Sequence, residues 1–470
     1  MTTPTRAAVL ALLCAADLLV MLDGMVVTVA LPAIERDLGT AHADLQWVIT
    51  AYTLSLGSFL LVGGRAGDLY GRRRTLVAGL VVFALASLAA GLARSTGLLL
   101  SARAVQGLGA ALAVPAALAL LSAAYRAQRE REHALGLLAA ALDAGMVAGL
   151  VLGGLLTASL GWPWCFFLVV PFGLAAAALA PAVLEESRDD AAPPLDVPGA
   201  LLCAAGCGVL VFGLVRFERD AAAAVPFLVA GALLLAAFVA VERRARAPMV
   251  RLDVFRHRPL TGANLAVIAN AGGFTGMTFV ATLYMQQVLG YGPLEAGLGF
   301  LPLALTAGAG GLLAPRIIAR AGPRRTAVVS LSATAAAFAF LSRLPSDGGY
   351  LPVLLPAFLV AGFGFAAAYV PLTSQGMTGV RDGEKGLASG LFQTSTHLGG
   401  AFVLAVLATA AAARTDAVRG AGAVSAPALT EGFAVAFLIA AGFLLIGAFC
   451  AVLTLPARQV AGDPPIIPSG

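Results

Sequence analysis

Four ionisable side chains lie deep inside long apolar blocks of the sequence. They are Asp17 and Asp23 in the first block, Arg103 in the fourth and Asp143 in the fifth. A charge at bilayer depth is costly unless it is paired or faces water, so such residues mark proton pathways and polar binding sites. A carboxylate can take up and release a proton, and a nearby arginine can neutralise the charge of the deprotonated carboxylate.

Helix geometry places two of these residues at comparable depth. At ~1.5 Å per residue, Asp23 lies about 15 Å below the outer end of its block and Arg103 about 9 Å below the outer end of its own. The long arginine side chain can close that difference. We expect Asp23 and Arg103 to form the polar centre of the N-terminal half, directly or through water. A static buried pair that only fixes helix packing is the alternative.

The other pair of carboxylates, Asp17 and Asp143, lies at a similar depth measured from the inner ends of the blocks. Asp17 and Asp143 each lie about 15 Å from the inner end of their blocks and can share a water-filled inner cavity. Because Asp17 and Asp23 are six residues apart, about 240° around a helix, they cannot both point along one line into a cavity. We expect Asp23 to be the functional member. No carboxylate lies within a block from Leu260 onward, so coupling is expected in the first half.

Membrane-spanning helices must position these residues. The chain has 470 residues, of which 60% are hydrophobic and 12% charged, about half the charged fraction of a soluble domain. Its unbroken apolar blocks of about twenty residues are typical of spanning helices rather than of barrel strands. The net charge of +5 arises in short gaps between blocks and indicates topology, so we expect a lipid bilayer and no nucleic acid as partner.

A scan with a window of about 19 residues predicts fourteen spans. Six precede residue 190, two lie between Val197 and Val241, and six follow from Leu260. The middle pair either spans the bilayer or forms a bent hairpin that dips partway. Of the 30 Lys and Arg residues, 22 lie in gaps on the side of the N-terminus, seven on the other side, and Arg103 within a span. This bias predicts that both termini are cytoplasmic.

Several function classes are disfavoured by what the chain lacks. Its one lysine, Lys385, follows Glu384, so it cannot form the Gly-Lys-Ser/Thr of a phosphate-binding loop. The five cysteines have no ligand spacing, and the gaps are too short for a soluble catalytic domain. An intramembrane enzyme would need a reactive cluster at membrane depth, where only one histidine, His397, lies well inside a block. We therefore expect neither enzymatic activity nor a cofactor.

Two stretches in the first four spans carry a family resemblance. The loop after the second span contains Gly64, Asp68, Gly71 and Arg72. It resembles the G-x-L-A-D-R-x-G-R-K/R loop of the major facilitator superfamily, in which glycines permit a tight turn. Asp68 can cap the following helix and pair with arginines; an ordinary basic loop is the alternative reading. In the fourth span, Arg103-x-x-Gln106-Gly107 resembles the R-x-x-Q-G motif of the same superfamily.

The first and fifth spans resemble motifs that occur in the antiporters of this superfamily. The fifth span contains Gly145, Gly149, Gly153 and Gly154. This spacing resembles the glycine signature of the superfamily's antiporters, although Leu150 stands where proline is usual. Glycines every fourth residue also allow close helix packing alone. Residues Leu22–Pro32 resemble the first-span motif of the fourteen-span drug:proton antiporters, but Met25 and Thr28 replace its usual Thr and Asn.

The resemblance implies an all-α polytopic membrane protein of the major facilitator fold. Two six-helix bundles of inverted three-helix repeats would occupy residues 1–190 and 246–470, with two inserted helices in 191–245 and fourteen transmembrane helices in all. The implied function is a monomeric proton-coupled antiporter that exports amphipathic drugs, antibiotics or secondary metabolites across the bacterial cytoplasmic membrane. A proton-coupled metabolite importer and a non-transporting membrane sensor or scaffold are the alternatives.

Uncharged polar and aromatic residues complete the candidate site. Gln106, Asn264, Asn270 and Phe274 either line a substrate cavity or only satisfy helix contacts. His397, in the thirteenth predicted span, is either a neutral hydrogen-bonded side chain or a proton relay.

Overall fold

The computed structural model describes residues 6–40, 44–125, 128–188, 196–217, 221–245, 248, 257–345, 349–376, 385–420 and 425–456. Within these ranges all of the regular elements are helical. The first nine helices are α1 (Arg6–Leu38), α2 (Trp47–Tyr70), α3 (Arg72–Gly91), α4 (Thr96–Ala124), α5 (Gln128–Ser159), α6 (Pro163–Phe167), α7 (Val169–Val183), α8 (Val197–Phe217) and α9 (Ala221–Arg244). The next seven are α10 (Arg258–Leu283), α11 (Pro293–Gly299), α12 (Leu301–Ala321), α13 (Pro323–Leu341), α14 (Leu355–Gly376), α15 (Lys385–Gly420) and α16 (Ser425–Thr454). Two π-helical turns, Tyr284–Val288 and Tyr350–Leu354, adjoin α10 and α14.

The helices have the length and composition of membrane spans. Among the described residues, twelve helical segments are long and apolar enough to cross a bilayer, which confirms the all-α polytopic prediction. The count of fourteen stays a prediction, because α5 contributes only the shorter apolar stretch Ala148–Ser159 and α13 is not among the twelve. Leu233, Leu312 and Val329 are 65%, 79% and 66% exposed, and such apolar faces require contact with lipid.

Contacts divide the chain into two compact units. Unit 1 consists of the described residues within Met1–Val209, Ala230–Met249 and Gly292–Leu298. Unit 2 consists of those within Leu210–Val229, Val250–Tyr291 and Gly299–Gly470. The three-part division at residues 190 and 245 stays a prediction.

Unit 1 is built around α4, which packs against α2 and α3. Glycines bring these backbones together: a Cβ at Gly63 would meet the carbonyl of Ala111, and one at Gly107 would lie 2.4 Å from the carbonyl oxygen of Tyr52. Close approach of this kind is what small residues provide in membrane helix pairs. Helix α1 packs against α5, and a shared apolar core of α1, α3, α4, α5 and α7 includes the buried Leu13. The ionisable residues of α1 therefore lie inside a tightly packed bundle.

Unit 2 is built around α10 and α14. Helix α10 packs against α14, α15 and α16, while α14 also packs against α12 and α13. A row of aromatic contacts joins these helices, with ring centroids 5.3 Å apart for Phe274 and Phe365, 5.9 Å for Phe338 and Phe365, and 5.6 Å for Phe338 and Phe437. The edge-to-face geometry of these pairs is the one that aromatic quadrupoles prefer.

Candidate functional site

Four helices of unit 1 meet at one buried ion pair. Arg103 Nη1 of α4 donates to Asp23 Oδ2 of α1 at 2.6 Å, and the two side chains are 1% and 0% exposed. The other carboxylate oxygen, Asp23 Oδ1, accepts from Gln106 Nε2 at 2.7 Å. Gln106 Nε2 also donates to Ser87 Oγ of α3 at 2.8 Å. We term Asp23, Ser87, Arg103 and Gln106 the hub.

Two further hydrogen bonds and a ring contact hold the arginine. Arg103 Nε donates to the carbonyl oxygen of Val48 in α2 at 2.9 Å, and Nη1 donates to Gln106 Oε1 at 2.8 Å. Its guanidinium carbon lies 4.4 Å from the centroid of the Tyr52 ring, within the range of a cation–π contact. Protein groups therefore compensate both charges of the hub, an arrangement that suits a fixed junction of four helices.

Asp17 has a different environment, although it lies on the same helix. It is 4% exposed, and in the part of the chain that the structure describes its carboxylate has neither a hydrogen-bond nor an ion-pair partner. An unpaired carboxylate that is buried at bilayer depth is far less costly when it is protonated. Asp143 belongs to α5, and its side chain lies outside the described residues.

The glycines of α5 form a packing surface for α1. Gly145, Gly149 and Gly153 face Leu18, Leu22 and Val26, and an added Cβ would lie 3.0, 2.8 and 2.6 Å from their respective carbonyl oxygens. On a second side of α5, a Cβ at Gly154 would lie 2.5 Å from the carbonyl oxygen of Pro293 in α11. The glycine stretch thus holds the helix that carries Asp17 and Asp23, while its antiporter role stays a prediction.

Only Gly71 lies between α2 and α3, because Gly64 and Asp68 belong to α2 and Arg72 begins α3, so the predicted loop is mostly helical. The charges around this turn form a fixed network. Gly71 has φ +105°, a conformation that glycine adopts without strain, and Gly64 lies against Pro115. Asp68 does not cap α3, whose N-cap residue Gly71 makes no side-chain cap. Instead Asp68 Oδ1 accepts from Arg72 Nε at 3.0 Å and Nη2 at 2.8 Å, because the arginine lies one turn further along the chain.

A segment after α7 lies against this loop, and sequence analysis missed it. We term Leu184–Arg188 the strap. The backbone nitrogen of Arg72 donates to the carbonyl oxygen of Ser187 at 2.8 Å, and that of Arg73 donates to Glu186 Oε1 at 3.0 Å. Glu186 Oε2 lies 3.6 Å from Arg73 Nε and 3.7 Å from Arg74 Nε. The acidic pair Glu185-Glu186 was the available signal, since it can neutralise the run of arginines.

We predict that Glu186→Gln loosens the strap, because the carboxylate neutralises Arg73 and Arg74 and accepts a backbone hydrogen bond at the start of α3. Limited trypsin digestion of the detergent-solubilised protein should then cut after Arg72, Arg73 or Arg74 several-fold faster than in the wild type. The matched control is Glu185→Gln, since within the described residues Glu185 makes no hydrogen bond or ion pair. Equal cleavage rates in both variants would contradict the role of Glu186.

The predicted residues of unit 2 are distributed over several helix contacts. Asn264 Nδ2 donates to the carbonyl oxygen of Leu260 at 2.8 Å, and its Oδ1 accepts from Ser395 Oγ at 2.6 Å. Asn270 Nδ2 donates to the carbonyl oxygen of Phe365 at 3.3 Å, beside the Phe274 ring. Gln106 belongs to the hub of unit 1.

Helix α15 contains His397 and the hydrogen-bond partner of a tyrosine in α14. His397 is half-buried, and within the described residues its ring makes no hydrogen bond. Tyr369 of α14, which sequence analysis missed, donates its hydroxyl to Gln393 Oε1 of α15 at 2.9 Å. A single tyrosine in an apolar span gives little signal from sequence alone.

The sequence is similar to a known family and to characterised resistance and export proteins. The family model described as Major Facilitator Superfamily matches residues 13–404. The chain is 39% identical over 466 residues to the puromycin resistance protein pur8 of Streptomyces alboniger, covering 97% of this chain and 92% of that protein. It is 38% identical over 476 residues to the cephamycin export protein CmcT of Amycolatopsis lactamdurans, covering 99% and 96% of the two chains.

Solved structures share the fold at much lower identity. A POT family transporter, PepTSo, matches with a TM-score of 0.71 and 15% identity, covering 97% of this chain and 98% of that chain. A bacterial homologue of the human lysosomal transporter Spinster matches with a TM-score of 0.69 and 17% identity, covering 97% and 99%. At these identities the likeness concerns the fold alone.

Proposed function

We propose that this chain, which belongs to the Major Facilitator Superfamily, exports amphipathic small molecules such as antibiotics in exchange for protons. Membership of that family supports a multi-pass membrane transporter. Export is supported by the near full-length similarity to proteins named for puromycin resistance and cephamycin export. We place the transporter as a monomer in the bacterial cytoplasmic membrane, with both termini in the cytoplasm.

The observation that supports proton coupling is the buried carboxylate of Asp17, which has no partner in the part of the chain that the structure describes. We assign proton exchange to Asp17 rather than to Asp23, which the sequence analysis favoured. Asp23 is held by Arg103 and Gln106, so protonating it would break an ion pair and leave the arginine uncompensated. Among the described residues Asp17 has no such partner, and a change of its surroundings is sufficient to change its protonation state.

The membrane potential provides enough free energy to drive export against a concentration gradient of cargo. One elementary charge that moves across 100 mV provides about 2.3 kcal/mol, and each tenfold concentration ratio requires about 1.4 kcal/mol. An exchange of one proton for one uncharged cargo molecule can therefore support somewhat under two decades of cargo gradient from the potential alone. For a singly positive cargo the one-for-one exchange moves no net charge, and the pH difference drives it. A deprotonated Asp17 also favours cargo with a positive charge.

Dye efflux from intact cells tests the proposal. Cells that produce the chain should expel preloaded ethidium several-fold faster than cells with an empty vector, because the proton gradient drives export. An uncoupler should remove the difference. Purified protein in liposomes should likewise acidify or alkalinise the lumen when cargo is added. Efflux that persists in the presence of the uncoupler would contradict proton coupling, and the absence of any cargo movement would contradict transport.

A further inference from the structure

The turn between α12 and α13 in unit 2 has the same backbone build as the turn between α2 and α3 in unit 1. In each turn a single glycine with positive φ separates the two helices, with φ +105° at Gly71 and +82° at Gly322. The glycine nitrogen donates to the carbonyl oxygen four residues earlier, at 3.0 Å in unit 1 and 2.8 Å in unit 2. A threonine nitrogen four residues later donates to the glycine carbonyl oxygen, at 3.0 Å and 3.1 Å respectively. Residues at equal distances from the two glycines can therefore be compared directly.

The two turns have arginines at the same positions but differ in their acidic residues. Six residues before the glycine, unit 1 has Arg65 and unit 2 has Arg316, and both turns have arginines two and three residues after the glycine. Three residues before the glycine, unit 1 has Asp68, whereas unit 2 has Ala319. Residues 296–346 contain no Asp or Glu at all. The turn of unit 2 therefore keeps the positive charges and lacks the carboxylate.

Four arginines of the unit 2 turn have no protein partner in the part of the chain that the structure describes. We term them the basic turn: Arg316, Arg320, Arg324 and Arg325. Arg324 is half-buried and the other three are exposed, and within the described ranges none of the four makes a hydrogen bond or an ion pair. In unit 1, by contrast, Asp68 and Glu186 neutralise the arginines of the turn. Like charges this close in sequence repel one another, so an anion that lies among them is stabilising.

Exposed apolar side chains adjoin the basic turn on both of its helices. Leu312, one turn before Arg316 on α12, is 79% exposed, and Val329, one turn after Arg325 on α13, is 66% exposed. Residues four apart share a helix face, so each helix presents an arginine beside an apolar side chain that requires contact with lipid. This combination suits a ligand with an anionic head and an apolar chain, and a small soluble anion would leave the apolar part uncovered.

We infer that the basic turn binds the headgroup phosphate of an anionic phospholipid, whose acyl chains lie against Leu312 and Val329. Guanidinium groups pair with phosphate oxygens through two parallel hydrogen bonds. The turn lies on the side of the N-terminus, which we propose to be cytoplasmic, where anionic headgroups attract basic residues that flank a membrane helix. This lipid site goes beyond the proposed export, because it requires neither cargo nor protons.

The test measures lipid binding to the purified full chain in detergent by native mass spectrometry, with no cargo present. Dioleoylphosphatidylglycerol should bind to the wild type at least about tenfold more tightly than dioleoylphosphatidylcholine, which has the same chains and a phosphodiester but no net charge. Ala319→Asp, which supplies the carboxylate that unit 1 has at Asp68, should reduce this preference several-fold. The matched control is Ala319→Asn, which has nearly the same shape without the charge and should keep the preference. Ala319 is exposed, so both variants should fold.

A second comparison removes a positive charge instead of adding a negative one. Arg325→Gln at the start of α13 should weaken the binding of phosphatidylglycerol several-fold. Arg343→Gln, an exposed site just beyond the other end of the same helix, should leave it unchanged.

Three results would overturn the lipid site. They are equal binding of the two lipids by the wild type, equal effects of Arg325→Gln and Arg343→Gln, and displacement of the bound lipid by an excess of inorganic phosphate, which would assign the turn to a soluble anion. A failure of dye efflux would contradict the proposed function and leave these binding measurements unaffected.

Discussion

Asp17→Asn is expected to produce a folded protein that no longer exports cargo against a gradient. Asparagine has nearly the shape of a protonated aspartate, so the packing of α1 around this 4% exposed site should be retained. The variant cannot release a proton, and the coupling between the two fluxes is lost. The steady-state cargo ratio, about two decades or less in the wild type, should fall close to one.

Two assays in liposomes check this expectation. A pH-sensitive dye should report no proton movement when cargo is added to Asp17→Asn, whereas exchange of labelled for unlabelled cargo should continue. Asp17→Glu should retain proton movement, because it restores the titratable group. Thr28→Val, further along α1, where the hydroxyl bonds only to the carbonyl oxygen of Gly24 in its own helix, is the matched control and should behave as the wild type does. Full gradient-driven accumulation by Asp17→Asn would assign proton exchange to another residue.

The hub shows how much of the site can be inferred from sequence. Asp23 and Arg103 are charged residues in apolar spans, and the helical rise places them at similar depth. That reasoning predicts a pair, and the structure brings the two side chains to 2.6 Å. It does not predict Ser87, because a serine in a membrane helix commonly bonds within its own helix. Ser87 does so here as well, through the carbonyl oxygen of Phe83, while also accepting from Gln106.

Other features depend on tertiary contacts that spacing does not encode. The difference between Asp17 and Asp23 arises from which neighbours surround each carboxylate, although both occupy the same apolar helix. The strap contacts arginines more than 100 residues away in sequence. Likewise, nothing in the sequence distinguishes the paired amide of Asn264 from the unpaired oxygen of Asn270. Sequence therefore identified the helices and the charged pair, and the structure was needed to separate fixed from exchangeable groups.

Arg103→Leu is expected to destabilise the protein more than any other single change considered, because it leaves the carboxylate of Asp23 buried without its cation. Removing one partner of a buried ion pair costs about 3–5 kcal/mol. Arg103→Lys should recover little of this loss, since an ammonium group cannot reproduce the bond to the Val48 carbonyl together with the contact on the Tyr52 ring. The measurements are the unfolding temperature and the monodisperse fraction of the detergent-solubilised protein.

A double-mutant cycle separates this destabilisation from a loss of packing volume. Asp23→Leu and Arg103→Leu should each be strongly destabilising, whereas the double variant should lose clearly less than their sum, because no buried charge is then left unpaired. The control is Thr28→Val on α1, because this residue is 2% exposed and its hydroxyl bonds only to the carbonyl oxygen of Gly24 in its own helix. Additive losses would mean that the two residues act independently, and wild-type stability of Arg103→Leu would show that the hub does not hold the four helices together. Partial recovery of folding in the double variant, without recovery of transport, would show that the hub also positions α1 and its Asp17 for proton exchange.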